Sequence, residues 1–403
     1  MRISIHWVAS GHGVAWGHGV AWGHAVTGLM LIVISSWACA KPYTPANDNV
    51  ILERLPYKAG DASQRELRRL SQALRDAPDN VELAVDLARR HIEQGRATSD
   101  PRFFGYARAA LSRWWEASDA PVEILVLRAT LHQNQHRFDQ ALLDLDRALQ
   151  RAPNNGQARL TKAVVLQVRG EFDAALTQCR ALARLAEPVV VATCIAAVQS
   201  LNGELRPSYE RLTKMADQLD RQSPPLRAWV LSYLADMAAR LGEWKAAETY
   251  YRTALAADPS DAFLLAAYAD LLLDQHRPQE AIKLLKGQER ADGLLLRLAL
   301  AQRAAADEEW RATRDALASR FAAAKLRNDR VHLREEARFT LHLLDQPDNA
   351  LVLALENWSI QKEPADARLV LDAAHAARQP KASAQVRQWL AMKRLEDVAI
   401  GRE

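Results

Sequence analysis

The chain has 403 residues, and its 53 basic and 49 acidic residues give a formal net charge of +4. This length exceeds one compact core, so we expect either two domains or one elongated array. With 49% hydrophobic and 25% charged residues, the composition is that of a folded globular protein and excludes a wholly disordered chain. The charges are interspersed, which argues against nucleic acid as a partner. The glycines and prolines, 16 of each, are too few for a turn-rich β protein.

Residues 1–40 are predicted to be a signal peptide. The apolar run Val26–Ile34 has the length of a signal-peptide core and is too short to cross a bilayer as a helix. The small residues Ala38 and Ala40 fit the rule for signal peptidase, which predicts cleavage before Lys41. We therefore expect a periplasmic or secreted protein that has no membrane span after cleavage.

A lipoprotein is the alternative, in which the chain is cut before Cys39 and lipidated there. Trp37 fits the required motif poorly, so simple cleavage is favoured. In either case residues 41–61 are expected to form an extended, polar N-terminus.

A six-residue repeat of His, Gly and Trp precedes the apolar run, with histidines at His12, His18 and His24. It reads either as a histidine-rich metal tract or as a short tandem duplication upstream of the true start. The duplication is favoured, because removal of the signal peptide would leave no binding site.

The mature chain is predicted to consist of helices. A capping box of Ser63 and Glu66 opens a helix over 63–76. A second helix over 81–95 is followed by an inserted loop over 96–101.

Similar segments then recur at an almost constant interval. Phe138 and Phe172 are 34 residues apart, Phe172 and Leu205 are 33 apart, and Trp244 and Pro278 are again 34 apart. Alanines recur at matching places, where small side chains would let two helix axes approach closely: Ala129, Ala163, Ala196, Ala235 and Ala269 on first helices, and Ala141, Ala175, Ala247 and Ala281 on second helices.

This pattern resembles the tetratricopeptide repeat family, whose unit is a pair of antiparallel helices of about 34 residues. Gly170, Gly203 and Gly242 fall at the turn between the two helices, where a positive φ is needed. Pro153 and Pro259 fall where the second helix must end. The resemblance implies an all-α fold, an α-solenoid of stacked helix-turn-helix repeats that form a right-handed superhelix.

The resemblance divides the mature chain into a repeat array over 62–290 and divergent helical repeats with a C-terminal cap over 291–403. Two degenerate units are expected near Pro347 and Pro380, which are 33 residues apart. Atypical terminal units are expected in such arrays, because an end unit has one face in water.

The mature chain contains none of the zinc-hydrolase, P-loop, dinucleotide-binding or nucleophile-elbow motifs, so we expect no enzyme, no cofactor and no metal. His132 and His136 are spaced to share one helix face, which would suit two metal ligands. However, the sequence supplies no third ligand, and the resemblance places His132 in the core. An enzyme site in the part after Asp292 is the least favoured hypothesis, because no nucleophile and base are paired there.

Cys179 and Cys194 are the cysteines that remain after cleavage. One is predicted on a second helix and the other on the first helix of the next unit, so they are candidates for a disulfide in an exported protein. The alternative is two separate buried thiols.

In the family that the chain resembles, the concave face binds peptides or protein segments. The resemblance places polar residues on the first half of this face and aromatic and acidic residues on the second, which would favour a client segment with Lys or Arg beside an apolar anchor. Alternatively, the aromatic residues staple neighbouring units and the acids are solvated or cap helices. The groove candidates are Thr130, Gln133, Asn134, Gln167, Trp229, Asp236, Phe263, Asp270 and Asp274.

The function predicted from these features is a non-enzymatic periplasmic scaffold that binds a client protein or peptide. The alternative is an accessory subunit of an envelope assembly or export machine, of the type found in cytochrome c biogenesis or exopolysaccharide export.

Overall fold

The computed structural model describes residue 47 and residues 61–216, 219–327 and 331–400, and within these ranges every regular element is a helix. The predicted signal peptide, Cys39 and nearly all of the predicted extended N-terminus lie outside the described residues. The α-helices are α1 (Ala62–Asp76), α2 (Val81–Thr98), α3 (Arg102–Ala110), α4 (Val122–Asn134), α5 (Phe138–Arg151), α6 (Gly156–Val168), α7 (Phe172–Ala181), α8 (Pro188–Gln199), α9 (Leu205–Ala216), α10 (Pro224–Arg240), α11 (Trp244–Leu255), α12 (Ala262–Asp274), α13 (Pro278–Leu285), α14 (Asp292–Ala304), α15 (Trp310–Leu326), α16 (Leu333–His342), α17 (Pro347–Ile360), α18 (Pro364–Ala376) and α19 (Ala384–Lys393).

After α1, consecutive helices pair into nine helical hairpins, which we number as units 1 to 9 from α2–α3 to α18–α19. Each unit also packs on the next, as α5 does on α6 and α7 on α8. The predicted all-α solenoid of stacked hairpins is therefore confirmed. Within the described residues, no helix is both long enough and apolar enough to span a membrane.

The repeated alanines explain how the hairpins close. All nine that the sequence placed on first and second helices are buried, with at most 4% of their surface exposed. A methyl group at these places lets two helices approach closely, whereas a larger side chain would hold them apart.

The first helix of every unit ends in the same way, with one residue of positive φ in the turn that leads to the second helix. Three of these nine residues are glycines, and six are not. In unit order they are Ser99 (φ 51°), His136 (54°), Gly170 (76°), Gly203 (79°), Gly242 (78°), His276 (57°), Ala306 (56°), Asp345 (55°) and Arg378 (57°).

Two predicted helix ends are wrong. Asp61, not Ser63, caps α1, because its carboxylate accepts the Ser63 backbone N–H at 2.8 Å and Ser63 lies inside the helix. The predicted loop over 96–101 is also too long, because α2 continues through Gly95 as far as Thr98.

The largest hydrophobic core of the described residues extends from Leu160 to Leu343 and includes Phe172, one of the largest fully buried side chains. It therefore continues past residue 290, where the sequence divides the array from its divergent part. Smaller cores lie under units 1 to 3 and under units 8 and 9.

The solenoid coils back on itself. The backbone N–H of Lys362 donates to the carbonyl of Val168 at 2.7 Å, and that of Val398 donates to the carbonyl of Arg240 at 3.0 Å. Near the other end, α2 of unit 1 lies against α12 of unit 6. These long-range contacts enclose the concave face.

Candidate functional site

A cavity of about 1130 Å³ lies inside this coil. Its walls are the first helices of units 5 to 9, and α2 of unit 1 closes one end. It is larger than the roughly 300–1,000 Å³ of typical small-molecule pockets, and a short peptide segment would fit in it. Four predicted groove residues line it together: Asp236, Phe263, Asp270 and Asp274.

The carboxylate of Asp270 is held between two arginines. Nη2 of Arg297 lies 2.6 Å from Oδ2 of Asp270, and Nη1 of Arg338 lies 2.7 Å from Oδ1. Burial opposes ionisation of this carboxyl, but the two cations outweigh burial and lower the pKa of Asp270 below its usual value. Asp270 is therefore ionised and fully paired.

The other two carboxylates of the predicted groove are also paired. Nη1 of Arg368 lies 2.8 Å from Oδ2 of Asp274, and Nε of Arg240 lies 2.9 Å from Oδ2 of Asp236. Arginines of this chain therefore pair with all three acids, although half of the Asp236 side chain remains exposed to solvent. The role of these acids as a surface for a basic client stays a prediction. Two of these arginines, Arg338 and Arg368, come from the C-terminal units.

A buried network fixes α16 and α18 in the cavity wall. Nε of Arg334 lies 2.5 Å from Oδ1 of Asp366, and Arg334 also pairs with Glu363. The Asn357 side chain donates to Oδ1 of Asp366 at 2.7 Å, and the backbone N–H of Glu363 donates to Oδ2 at 2.9 Å. These bonds hold α16, α17 and α18 together beside the paired acids.

The two aromatic candidates differ. Phe263 is 42% exposed at the start of α12, where Asp261 caps the helix. Trp229 is only 4% exposed and packs edge-to-face against Tyr233, with 5.6 Å between ring centroids. Its prediction as a groove contact is corrected, because Trp229 belongs to the hydrophobic core. The sequence gives no signal of which side of α10 this indole faces.

The four polar candidates of the first half do not line the cavity. Thr130 hydrogen-bonds the carbonyl of Val126 one turn back, at 2.9 Å. Gln133 and Asn134 are buried, and Oε1 of the first and Nδ2 of the second lack hydrogen-bond partners. Burial raises the pKa of Tyr233, and Gln167 lies close enough to the Tyr233 hydroxyl to oppose that rise in part. The structure therefore does not join the two halves of the predicted groove into one site.

His132 and His136 do not converge on a metal site. His132 is buried beside the Trp115 ring, 5.2 Å between centroids, and burial lowers its pKa to about 4. Its nearest carboxylate, Asp144, is already paired with Arg128 at 2.5 Å. Within the described part of the chain, no group of three or more His, Cys, Asp or Glu residues is placed to hold a metal.

Cys179 and Cys194 are joined by a disulfide, with their Cα atoms 5.5 Å apart. Cys179 lies on α7 of unit 3, and Cys194 lies on α8 of unit 4. The bond therefore ties two consecutive units together.

A second surface, which adjoins the cavity because Asp397 and Ala399 line the cavity as well, was not foreseen from the sequence. We call the three glycine turns of units 3 to 5, at Gly170, Gly203 and Gly242, the turn edge. The C-terminal residues from Trp389 onward run along it, and Val398 forms its backbone hydrogen bond there. The only sequence signal is that the glycines occur in three consecutive units.

Comparison with known proteins agrees with this architecture. A family model described as the tetratricopeptide repeat matches residues 126–188, 206–262 and 233–293. No curated protein matches the chain.

Several solved structures are similar. A tetratricopeptide repeat protein from Parabacteroides merdae is 17% identical, with a TM-score of 0.45, covering 60% of this chain and 92% of its own. Human IFIT1, solved as a dimer with m7Gppp-AAAA, is 12% identical with a TM-score of 0.48 and covers 82% and 86%. Yeast Tom70 is 12% identical with a TM-score of 0.39 and covers 83% of each chain. The family match therefore assigns tetratricopeptide repeats to residues 126–188 and 206–293, which lie among the stacked helical hairpins of the described residues.

Proposed function

We propose that this protein is an exported, non-enzymatic scaffold that binds a segment of another protein on its enclosed concave face. The observation that supports this most is the cavity itself, because the first helices of five consecutive units line it. Its charged groups are mostly paired, so affinity would come from the half-exposed Phe263 and from backbone and polar contacts. Any electrostatic steering of the client would be weak.

A pull-down of the full-length mature chain from envelope extracts tests this proposal. We expect the chain to retain one client or a small set of clients, and Phe263→Ala to reduce capture by about fivefold or more, as for an interface anchor. Leu143→Ala is the matched control, because Leu143 is also a large exposed apolar residue but lies on α5. Capture of nothing, or equal capture by both variants, contradicts the concave-face proposal.

The same pull-down separates the scaffold from the accessory-subunit alternative. A scaffold would retain soluble envelope proteins, whereas an accessory subunit would retain the membrane components of one assembly in fixed proportion.

The proposed location is supported by the disulfide between Cys179 and Cys194, because such bonds persist in oxidising compartments such as the periplasm. N-terminal sequencing of the protein from envelope fractions should begin at Lys41. A start at a lipidated Cys39 would identify a lipoprotein, and an intact N-terminus in the cytosol would contradict export.

A further inference from the structure

Each of the nine turns contains one residue of positive φ, but the residue types differ, and φ is 76–79° at the three glycines. Six of them hold Ser, His, Ala, Asp or Arg at φ of 51–57°. In this chain, therefore, positive φ does not by itself require glycine. Two of the glycines, Gly170 and Gly203, meet a further requirement, and all three lie in the consecutive units 3, 4 and 5.

That requirement is the close approach of the C-terminal residues. A β-carbon on Gly170 would lie 2.8 Å from Cζ2 of Trp389, and one on Gly203 would lie 2.9 Å from Nε of Arg394. At Gly242 it would touch both methyl groups of Val398 at 3.7 Å. Because the turn edge has no side chains at the three glycines, it forms a shallow groove. Trp389, Arg394 and Val398 lie in this groove.

Polar contacts fix the register of the segment Leu395–Ile400. The Val398 backbone N–H donates to the carbonyl of Arg240 at 3.0 Å, and Oε1 of Glu396 accepts the Leu205 backbone N–H at 3.3 Å. Oδ1 of Asp397 accepts the backbone N–H of Ala399 at 2.8 Å within the segment itself. The turn edge therefore recognises an acidic side chain at Glu396 and an aliphatic side chain at Val398.

We propose that the turn edge is a binding surface for an extended protein segment with this chemistry, and that the chain's own Leu395–Ile400 occupies it until a client displaces it. The inference rests on the proposed function only in that the client is a protein.

The segment is partly exposed. Val398 is 38% exposed, and among the described residues one backbone–backbone hydrogen bond, from Val398 to Arg240, joins Leu395–Ile400 to units 3 to 5. Segments with few buried contacts open at a free energy well below that of global unfolding. Because the segment is tethered, its high effective concentration would still exclude weak competitors.

Hydrogen exchange on the full chain tests whether the segment is held there. Val398→Asp places a charge against Gly242 and should accelerate exchange in residues 394–400 and in the turns at 203–205 and 240–243. Val352→Asp is the matched control, since Val352 is 65% exposed on α17, and it should leave these regions unchanged. Equal exchange in the wild type and in Val398→Asp would overturn the proposal.

A labelled peptide with the sequence of Lys393–Ile400 tests the surface itself. It should bind the Val398→Asp chain about tenfold or more tightly than the wild-type chain, because its site is freed. The same peptide with Asp in place of Val should bind neither chain. If the peptide binds Val398→Asp no better than the wild type and Val352→Asp, the turn edge is not a binding surface. This result would be independent of capture through Phe263, so the two proposals can fail separately.

Discussion

Gly170 and Trp389 meet so closely that a β-carbon on the glycine would lie 2.8 Å from the Trp389 ring. The ring cannot retreat easily, because Trp358 packs against it edge-on at 5.1 Å and Phe172 lies at 5.8 Å between centroids. This contact joins unit 3 to unit 9, which are far apart in the repeat order.

Gly170→Ala should destabilise the protein more than Gly287→Ala. Both residues have positive φ, so both variants bear the strain of a left-handed alanine, about 1–2 kcal/mol. Only Gly170 faces a rigid ring, which should add about 1–3 kcal/mol of overpacking, whereas nothing lies within 4 Å of a β-carbon on Gly287. Urea midpoints check this. Equal losses would mean that the C-terminal residues do not lie on this turn.

Asp270→Asn should lower the free energy of unfolding by about 1–3 kcal/mol, because it leaves Arg297 and Arg338 without their shared carboxylate. Asp315→Asn, which removes an exposed pair with Arg314, should cost less than about 1 kcal/mol. Because the arginines lower the pKa of Asp270, its contribution is present near neutral pH and is lost as the pH falls through that pKa. Thermal melts from pH 7 to pH 3 measure both effects.

Docking of the C-terminal segment should weaken as the pH rises. Burial raises the pKa of Asp397 from 3.8 to about 6, although Arg240 and Arg368 oppose this and Asp236 adds to it. A raised pKa means that the docked segment prefers protonated Asp397, so docking is strongest below about pH 4 and weakens through pH 6. Protection factors for residues 394–400 at pH 5 and pH 7 should show this. In Asp397→Asn the two values should agree, and a wild type without any difference would contradict the prediction.

Reduction of the disulfide should lower stability by about 3 kcal/mol, the chain-entropy value for a closed loop of this size. The bond closes a loop with a sequence separation of 15 residues between Cys179 and Cys194. Urea unfolding with and without reductant measures the loss. The double variant Cys179→Ala/Cys194→Ala is the control, and its midpoint should not respond to reductant.

Ala247→Leu should destabilise the array by about 1–3 kcal/mol, since Ala247 is fully buried between the helices of unit 5 and the added methylenes have no space. Ala322→Leu, at an exposed place on α15, should be close to neutral. An unchanged melting temperature for Ala247→Leu would contradict the helix packing described for this unit.

The helical hairpins could be predicted because their signals are local. Ala129 and Ala141 are spaced within one unit, and the same spacing recurs about 34 residues later. Each hairpin needs only its own small residues and its own turn, so the pattern is visible without knowledge of the rest of the fold. The helix ends near Ser63 and Thr98 could not be predicted from such a pattern, because capping by Asp61 and continuation through Gly95 depend on single residues.

The enclosed site could be predicted only in part. Asp270 and Asp274 share one helix face, and the structure places both on the cavity wall. Their partners lie 68 and 94 residues away along the chain, at Arg338 and Arg368. Whether such residues meet depends on the curvature that accumulates over several units, and no local sequence pattern reports that curvature.

The return of the C-terminal segment to the turn edge changes how the protein should unfold. In an open solenoid each unit contacts only its neighbours, so end units fray and the middle melts separately. Here unit 9 touches unit 3 through Trp389 and unit 5 through Val398, and unit 1 lies against unit 6. Because of these long-range contacts, the unfolding of one unit also removes stabilising contacts from the distant units that it touches. Thermal unfolding should therefore be a single cooperative transition, as in a globular domain, although the architecture is that of a linear array.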